Sequence, residues 1–375
     1  MATLSLNGVR KEYGEVVALD DLSIDVRDGE FFVLLGPSGA GKTTTLKCIA
    51  GLETPTAGRV EIDGREMTDV EPYDRNVAMA FENYALYPQK TVFENMSFPL
   101  NSSRHRVSEE EARKRVEGVA ETLGIRHLLQ RLPRELSGGQ RQRVALGRVL
   151  VRPADVYLLD EPLSHLDAKL QMEMRAELRS LGEMQNTTSF YVSHDYREAL
   201  ALGDRIGVLR EGRLIQVGTG EEVWQRPVDT FVARTFGQPE INLVAGELVD
   251  GPEGCLFRSR DGEIEVPLPN RPAPPGTAVE LGIRPLDLEV ADGETPTDTV
   301  KLAGRVYVVE RLGRELEVTV KIGDNLIAVV TGKGSKDPDE QVTIYFSSSK
   351  LLLFEGETGR RIDLEQDVEE AIGRA

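Results

Sequence analysis

The glycine-rich segment Gly36-Pro-Ser-Gly-Ala-Gly-Lys-Thr43 comes directly after the wholly apolar run Phe31-Phe-Val-Leu-Leu35, and nothing else in the chain restricts the fold as tightly. A short apolar run without polar alternation reads as a strand buried on both faces, hence as part of a parallel sheet. The next stretch, Thr43-Thr-Thr-Leu-Lys-Cys-Ile-Ala50, suits a helix. Strand, glycine turn and helix in that order aim backbone N–H groups at one point, and the helix N-terminus adds its dipole. Such a cradle holds the phosphates of a nucleotide. In this P-loop spacing Gly36, Ser38, Gly39, Ala40, Gly41, Lys42, Thr43 and Thr44 surround the phosphates, with Lys42 reaching the outer ones and Thr43 the magnesium ion.

Two further apolar runs end in chemistry-bearing residues. Val156-Tyr-Leu-Leu-Asp160 is succeeded by Glu161, and Tyr191-Val-Ser193 by His194. Open α/β sheets bind ligands beyond the carboxyl ends of their strands, so all three runs are expected to meet at one edge. Asp160 then suits a magnesium-bound water, Glu161 a general base, and His194 a contact to the γ-phosphate that positions the attacking water.

These segments resemble the nucleotide-binding subunits of ATP-binding cassette transporters. In that family Leu136-Ser-Gly-Gly-Gln140 is the signature sequence, here continued by the helix-compatible Arg141-Gln-Arg-Val-Ala-Leu-Gly-Arg148. Ser137, Gly138, Gly139 and Gln140 open a helix and so make a second anion-binding terminus. One γ-phosphate has no need of two such clamps from one small domain. The resemblance implies a head-to-tail pair of ATPase subunits, in which the P-loop of one and the signature of the other enclose each ATP. It also implies that Tyr13, in Glu12-Tyr-Gly-Glu15, stacks on adenine. Asp167 in Ser164-His-Leu-Asp167 matches the nucleotide-side loop after the catalytic strand, with His165 where a small or amide side chain is usual.

The larger departure from the family pattern is Glu82. The run Val77-Ala-Met-Ala-Phe-Glu82-Asn-Tyr-Ala-Leu-Tyr-Pro88 matches the family's Q-loop, but a glutamate stands where glutamine is expected. It keeps a carbonyl-type acceptor for magnesium and loses the amide donor. It also brings a third carboxylate toward Asp160 and Glu161, where like charges about 5 Å apart repel by roughly 3 kcal/mol at an effective dielectric near 20. The expected metal set is Thr43, Glu82 and Asp160, and the catalytic set Glu161, His194, Lys42 and Glu82. Two readings stay open: a working ATPase with altered coupling, and one member of a non-identical pair with a modified site.

Composition supports the frame. A chain of 375 residues has room for two domains with sizeable cores. Its net charge of −18, much of it on residues 241–375, argues against nucleic acid as a partner and against direct adhesion to anionic lipid. No apolar stretch reaches the roughly 18 to 20 residues that span a bilayer, so any membrane pathway belongs to other subunits. Cys48 and Cys255, its two cysteines, read as buried thiols rather than a disulfide.

Between the P-loop half and the signature, Ser108-Glu-Glu-Glu111 has capping-box spacing, and Ala112 to Leu129 carries apolar residues at helical intervals. This marks a helical subdomain, about 88–150, inserted into an α/β nucleotide-binding domain of residues 1–238. In the family its groove receives short helices of the permease, with Tyr84, Leu86, Tyr87 and Phe93 as candidate contacts. After Gly237-Gln-Pro239 the pattern changes to period two, as in Glu315-Leu-Glu-Val-Thr-Val-Lys-Ile322 with a turn at Gly323-Asp-Asn325. Residues 239–375 are therefore expected to form an all-β, OB-like barrel. Leu281-Gly-Ile-Arg-Pro285 and Phe354-Glu-Gly-Glu-Thr-Gly359 resemble the regulatory (TOBE) domain of maltose-type sugar and polyol importer ATPases.

The resemblance thus implies an α/β P-loop ATPase with an appended β-domain that energises import of a carbohydrate or carbohydrate-like solute. ATP and Mg2+ are the expected cofactors. The expected partners are integral membrane permease subunits, a second ATPase subunit of the same or a paralogous chain and, indirectly, an extracytoplasmic solute-binding protein. The expected place is the cytoplasmic side of the membrane. A soluble cassette ATPase acting on ribosomes or DNA is the alternative of a different class, disfavoured by the acidic charge and the lack of a tandem cassette.

Overall fold

The computed structural model describes residues 2–364 apart from 82–83, 103, 165, 186, 253, 292–294, 298, 314 and 333–335. Glu82 and His165 thus lie outside the described residues. The chain forms two compact units, residues 1–223 and 224–375.

In the first unit a six-stranded sheet runs in the order Arg213–Gly218, Arg205–Arg210, Phe31–Leu35, Thr188–Ser193, Val156–Asp160, Val77–Ala80. Its strands are parallel except for the edge strand Arg213–Gly218. Every residue of Phe31–Leu35, Val156–Asp160 and Thr188–Ser193 is buried, as expected for strands covered on both faces. The register sets Leu35 against Ser193 and Asp160 against Val192, so the three strands end level. Gly36, Glu161 and His194, each the next residue in its chain segment, are thereby delivered to one edge.

A second, antiparallel sheet (Val16–Val26, Leu4–Tyr13, Ala57–Ile62, Arg65–Glu66) shares a core with the first. Leu4, Leu6, Val9 and Leu22 from one sheet and Phe32, Leu34, Leu158 and Phe190 from the other close around Leu46 and Ile49 of the helix Lys42–Ala50. That helix is fixed at its far end by Arg75, only 2% exposed, whose guanidinium donates to the carbonyls of Cys48 (2.8 Å) and Ile49 (2.9 Å). Cationic donors at orphan C-terminal carbonyls satisfy them and oppose the negative end of the dipole.

The helical subdomain contains Val92–Ser97, Glu109–Thr122 and Gly138–Leu150. Ser108 caps the second of these, as its spacing implied. The helix stops at Thr122, short of the expected Leu129, because Gly124 turns left-handed (φ +63°) and Ile125 N–H returns to the Ala120 carbonyl. Val116, Ala120 and Leu123 are buried; the charged residues face solvent.

The second unit is built from two antiparallel sheets. One runs Glu265–Pro267, Gly254–Ser259, Asn242–Gly251, Ala278–Ile283, Leu352–Glu355, Arg361–Ile362; the other runs Glu289–Val290, Gln341–Phe346, Val300–Leu312, Glu315–Ile322, Asn325–Thr331. Both contribute to one core that includes Leu248, Phe257, Leu281, Val318, Val329 and Ile344. The expected hairpin is present, with Ile322 paired to Asn325 across Gly323 (φ +56°). Asp261 secures it from the other sheet by accepting from Asp324 N–H at 2.7 Å and the Asn325 amide at 3.0 Å. Asn242 bridges the sheets again, its side-chain amide exchanging two hydrogen bonds with the backbone of Ala328. Cys48 and Cys255 are both buried and free.

Candidate active site

The glycine turn is held where the strand order predicts. Gly36 N–H donates to the Ser193 carbonyl at 3.3 Å. A Cβ on Gly36 would lie 2.5 Å from the Leu209 carbonyl oxygen, so only glycine lets the loop leave the sheet there. Gly41 has φ +108°, and a Cβ there would lie 2.6 Å from the Ala18 carbonyl oxygen. Ser38 and Gly39 form the exposed lip, Ala40 packs inward, and Thr43 and Thr44 open the helix.

Lys42 is buried and folds back over the loop, with Nζ 3.0 Å from the Gly36 carbonyl and 3.1 Å from that of Pro37. The ammonium therefore sits at the mouth of the cradle. Thr43 Oγ1 donates to Asp160 Oδ1 at 3.1 Å, and Asp160 is 3% exposed. A hydroxyl and a single carboxylate suit a magnesium ion that takes most of its remaining ligands from phosphate and water.

Glu161 links the first residue of the P-loop helix to the histidine after the neighbouring strand. Its Oε1 lies 3.3 Å from Lys42 Nζ and its Oε2 2.7 Å from His194 Nδ1. The residue adopts φ +44°, a conformation costing about 1–3 kcal/mol for an L side chain. Hydrogen bonds around the turn hold it there: Glu161 N–H donates to the Val192 carbonyl, while Ser164 N–H and Oγ both donate to the Glu161 carbonyl.

A residue that carries no motif signal, Glu198, organises the histidine turn. Its buried carboxylate accepts from Tyr191 OH and from Ser193 Oγ, both at 2.7 Å. Ser193 Oγ in turn accepts from Asp195 N–H at 3.0 Å, so the residues on either side of His194 are tied to one buried group. Burial raises the carboxyl of Glu198 above its ordinary range, and the two hydroxyl donors partly offset this.

Tyr13 is 43% exposed and hydrogen-bonds Thr44 beside the helix start, with Lys11 Nζ 5.0 Å from its ring centroid. An exposed aromatic face next to the phosphate cradle offers a stacking surface.

Ser137, Gly138, Gly139 and Gln140 are not part of this constellation. Ser137 caps the helix Gly138–Leu150 in a capping box, its N–H donating to Gln140 Oε1 at 2.9 Å and its Oγ accepting from Gln140 N–H at 3.3 Å. Among the described residues, these four make no hydrogen bond or ion pair with Lys42, Glu161 or His194. Ser137 is exposed, Gly138 and Gly139 are half-buried, and a Cβ on Gly139 would lie 3.0 Å from Leu166. Asp167 is likewise exposed and caps the helix Ala168–Gln185, accepting from Leu170 N–H at 3.1 Å.

Two side chains of the signature helix reach other loops. Gln142, buried, donates to the carbonyl of Pro162, next to Glu161. Arg148 donates to the carbonyls of Ala85 (2.6 Å) and Tyr84 (3.1 Å), where the backbone is left-handed at φ +43° and +62°. Of the candidate permease contacts, Tyr87 is exposed and Tyr84, Leu86 and Phe93 are half-buried. Phe98, not singled out in the sequence, joins Tyr87 with ring centroids 4.6 Å apart. Buried Asn95 fixes the segment by bonding Tyr87, Lys90 and Thr91 backbone groups. A buried asparagine leaves no periodic signal, and a chance aromatic neighbour leaves none either.

A family model described as ABC transporter matches residues 19–164, and one described as TOBE domain matches residues 300–353. The xylose/arabinose import ATP-binding protein of Haloferax volcanii is 43% identical over 96% of this chain and 95% of its own length. The trehalose/maltose import ATP-binding protein of Thermococcus litoralis is 42% identical over 96% of this chain and all of its own. An sn-glycerol-3-phosphate import ATP-binding protein of Pectobacterium atrosepticum is 41% identical over 97% of this chain. Among solved structures, the dimeric post-hydrolysis state of an ATP-binding cassette bound to ADP and Pi superimposes with a TM-score of 0.54, at 32% identity, over 58% of this chain and 98% of that one.

Fold and site define a cassette-type, ATP-binding P-loop ATPase with an appended TOBE domain. The chain belongs to the family of import ATP-binding proteins of ABC transporters.

Proposed function

We propose that this subunit couples ATP hydrolysis to import of a carbohydrate or a phosphorylated or plain polyol, as one half of a head-to-tail ATPase pair docked on two permease subunits at the cytoplasmic face of the membrane. The observation that carries the reading is the bridge from Lys42 through Glu161 to His194 at the edge of the parallel sheet, beside the P-loop. Relatives whose names specify pentoses, disaccharides and glycerol phosphate support the solute class. Among the described residues no helix is long and apolar enough to cross a membrane, which fits a subunit that borrows its pathway.

In this mechanism the P-loop amides and Lys42 hold the β- and γ-phosphates. Glu161 polarises the attacking water and takes its proton, oriented by the His194 ring. His194 and Lys42 offset charge developing on the γ-phosphoryl oxygens. Thr43 and Asp160 would hold Mg2+, with Glu82 as a third donor; the ion supplies charge neutralisation at the phosphates. Ser137 and the amides of Gly138 and Gly139 would close on the γ-phosphate held by the opposite subunit. Closure and reopening of the pair then time the permease.

Co-purification from solubilised membranes, then reconstitution, tests this. The subunit should bring down two membrane proteins and drive ATP-dependent uptake of a sugar or polyol into vesicles. Recovery with ribosomes, or from the membranes with no membrane protein attached, would contradict it.

A further inference from the structure

Beside the phosphate cradle, Lys11 Nζ lies over the Tyr13 ring, 5.0 Å from its centroid. The ammonium is held on two further sides, 2.8 Å from Glu53 Oε2 and donating to the Thr54 carbonyl at 2.8 Å. Its side chain is only 12% exposed, so this is a fixed charge rather than a wandering surface lysine. Each partner keeps the other ionised: the hydrogen bond to Glu53 raises the Lys11 ammonium above its ordinary range, and the bond from Lys11 lowers the Glu53 carboxyl.

Glu53 and Thr54 come just after the helix Lys42–Ala50. Gly51 turns left-handed at φ +78°, and the N–H groups of Leu52 and Glu53 both return to the Lys47 carbonyl, at 2.9 and 3.2 Å. Two more bonds stitch the same segment to the strand Leu4–Tyr13. Thr56 N–H donates to the Arg10 carbonyl at 2.7 Å, and Glu12 N–H to Thr56 Oγ1 at 3.0 Å. The helix that begins at the phosphates thus ends tied to the strand that carries Tyr13.

An aromatic ring has two faces. With Lys11 against one of them, the other is left for a base. A cation on the far face offsets the negative charge that two stacked π-systems present to each other.

We propose that Lys11, locked by Glu53, is a positioning residue for the nucleotide base. It fixes the Tyr13 ring relative to the phosphate cradle and strengthens stacking on the free face, so the pair carries part of the selectivity for a purine nucleotide. This rests on the reading of Tyr13 as the base platform of the proposed ATPase.

Calorimetric titration of the purified full-length protein with ADP and with CDP tests it, since the two ligands differ only in the base. The wild type should bind ADP about tenfold tighter or more. Lys11→Met, which keeps the apolar stem, and Glu53→Gln, which frees the ammonium, should each cut that preference about threefold. The loss should fall on ADP, with CDP affinity within about twofold and the melting temperature held. Tyr13→Ala should abolish the preference, and adding Lys11→Met to it should change the ratio no further. A preference absent from the wild type, or intact in Tyr13→Ala, would overturn the platform reading and this proposal with it. A preference lost in Tyr13→Ala but intact in Lys11→Met would overturn this proposal alone. Equal loss of ADP and CDP affinity in Lys11→Met would also overturn it, leaving Lys11 a prop for the cradle.

Discussion

Oε2 of Glu161 lies 2.7 Å from Nδ1 of His194, joining a residue at the end of one strand to a residue at the end of its neighbour. The other carboxylate oxygen faces Lys42. If this pair orients water for hydrolysis, Glu161→Gln should keep ATP binding and lower turnover about 10²–10⁴-fold. His194→Ala should lower it too, since the carboxylate then lacks the ring that fixes it. Single-turnover assays with labelled ATP separate binding from chemistry. Turnover unchanged in Glu161→Gln would remove the residue from the reaction.

Arg148 ties the signature helix to the Tyr84–Ala85 backbone, so it joins that helix to the segment of the proposed permease contacts. Arg148→Ala should leave ATP turnover of the isolated subunit within about twofold and abolish most of the permease-dependent stimulation. Equal loss in both assays would mean that Arg148 serves only the fold.

Gln142 reaches the Pro162 carbonyl from the same helix, with its Oε1 buried and unpartnered. Gln142→Leu removes that orphan acceptor along with the bond to the loop after Glu161. Stability should change little, within about 1 kcal/mol, while turnover falls several-fold because the loop loses its tie. Measuring melting temperature alongside turnover distinguishes this from general destabilisation.

Glu198 supplies a pH test. Burial raises its carboxyl in the folded chain above the ordinary value of 4.5, so the folded state binds the proton more tightly than the unfolded. Its contribution is fully present below the unfolded value and is lost as pH rises through the raised one. Glu198→Gln, which keeps an acceptor for Tyr191 and Ser193, should therefore gain on the wild type as pH rises, in melting curves from roughly pH 4 to 8. A gap independent of pH would show that the carboxyl titrates normally.

The features legible in the sequence are those that spacing encodes. The glycine turn, the two carboxylates after Leu159 and His194 each come after an apolar strand, and parallel strands have only one carboxyl edge on which to end. The Ser108 cap and the hairpin at Gly323 were legible for the same reason, because a few adjacent residues specify each. Asn95 and Glu198 were not, since their partners, though near in sequence, meet them only once the turns between have folded, and Arg148 was not, since its partners lie in a distant segment. The stop at Thr122 was missed because apolar spacing continued past Gly124, whose left-handed backbone ended the helix. The form of the β-domain, two sheets on one core, depends on long-range bridges such as Asn242 to Ala328, which no local pattern announces.

The most direct measurement mixes two crippled subunits. Lys42→Ala removes the P-loop cation, and Ser137→Arg blocks the signature helix start; each protein alone should have negligible ATP turnover. In a head-to-tail pair of the two, one site carries both defects and the other is intact, so mixing should restore turnover in proportion to the mixed pairs. A mixture as inactive as its components would contradict shared sites and return each ATP to a single chain.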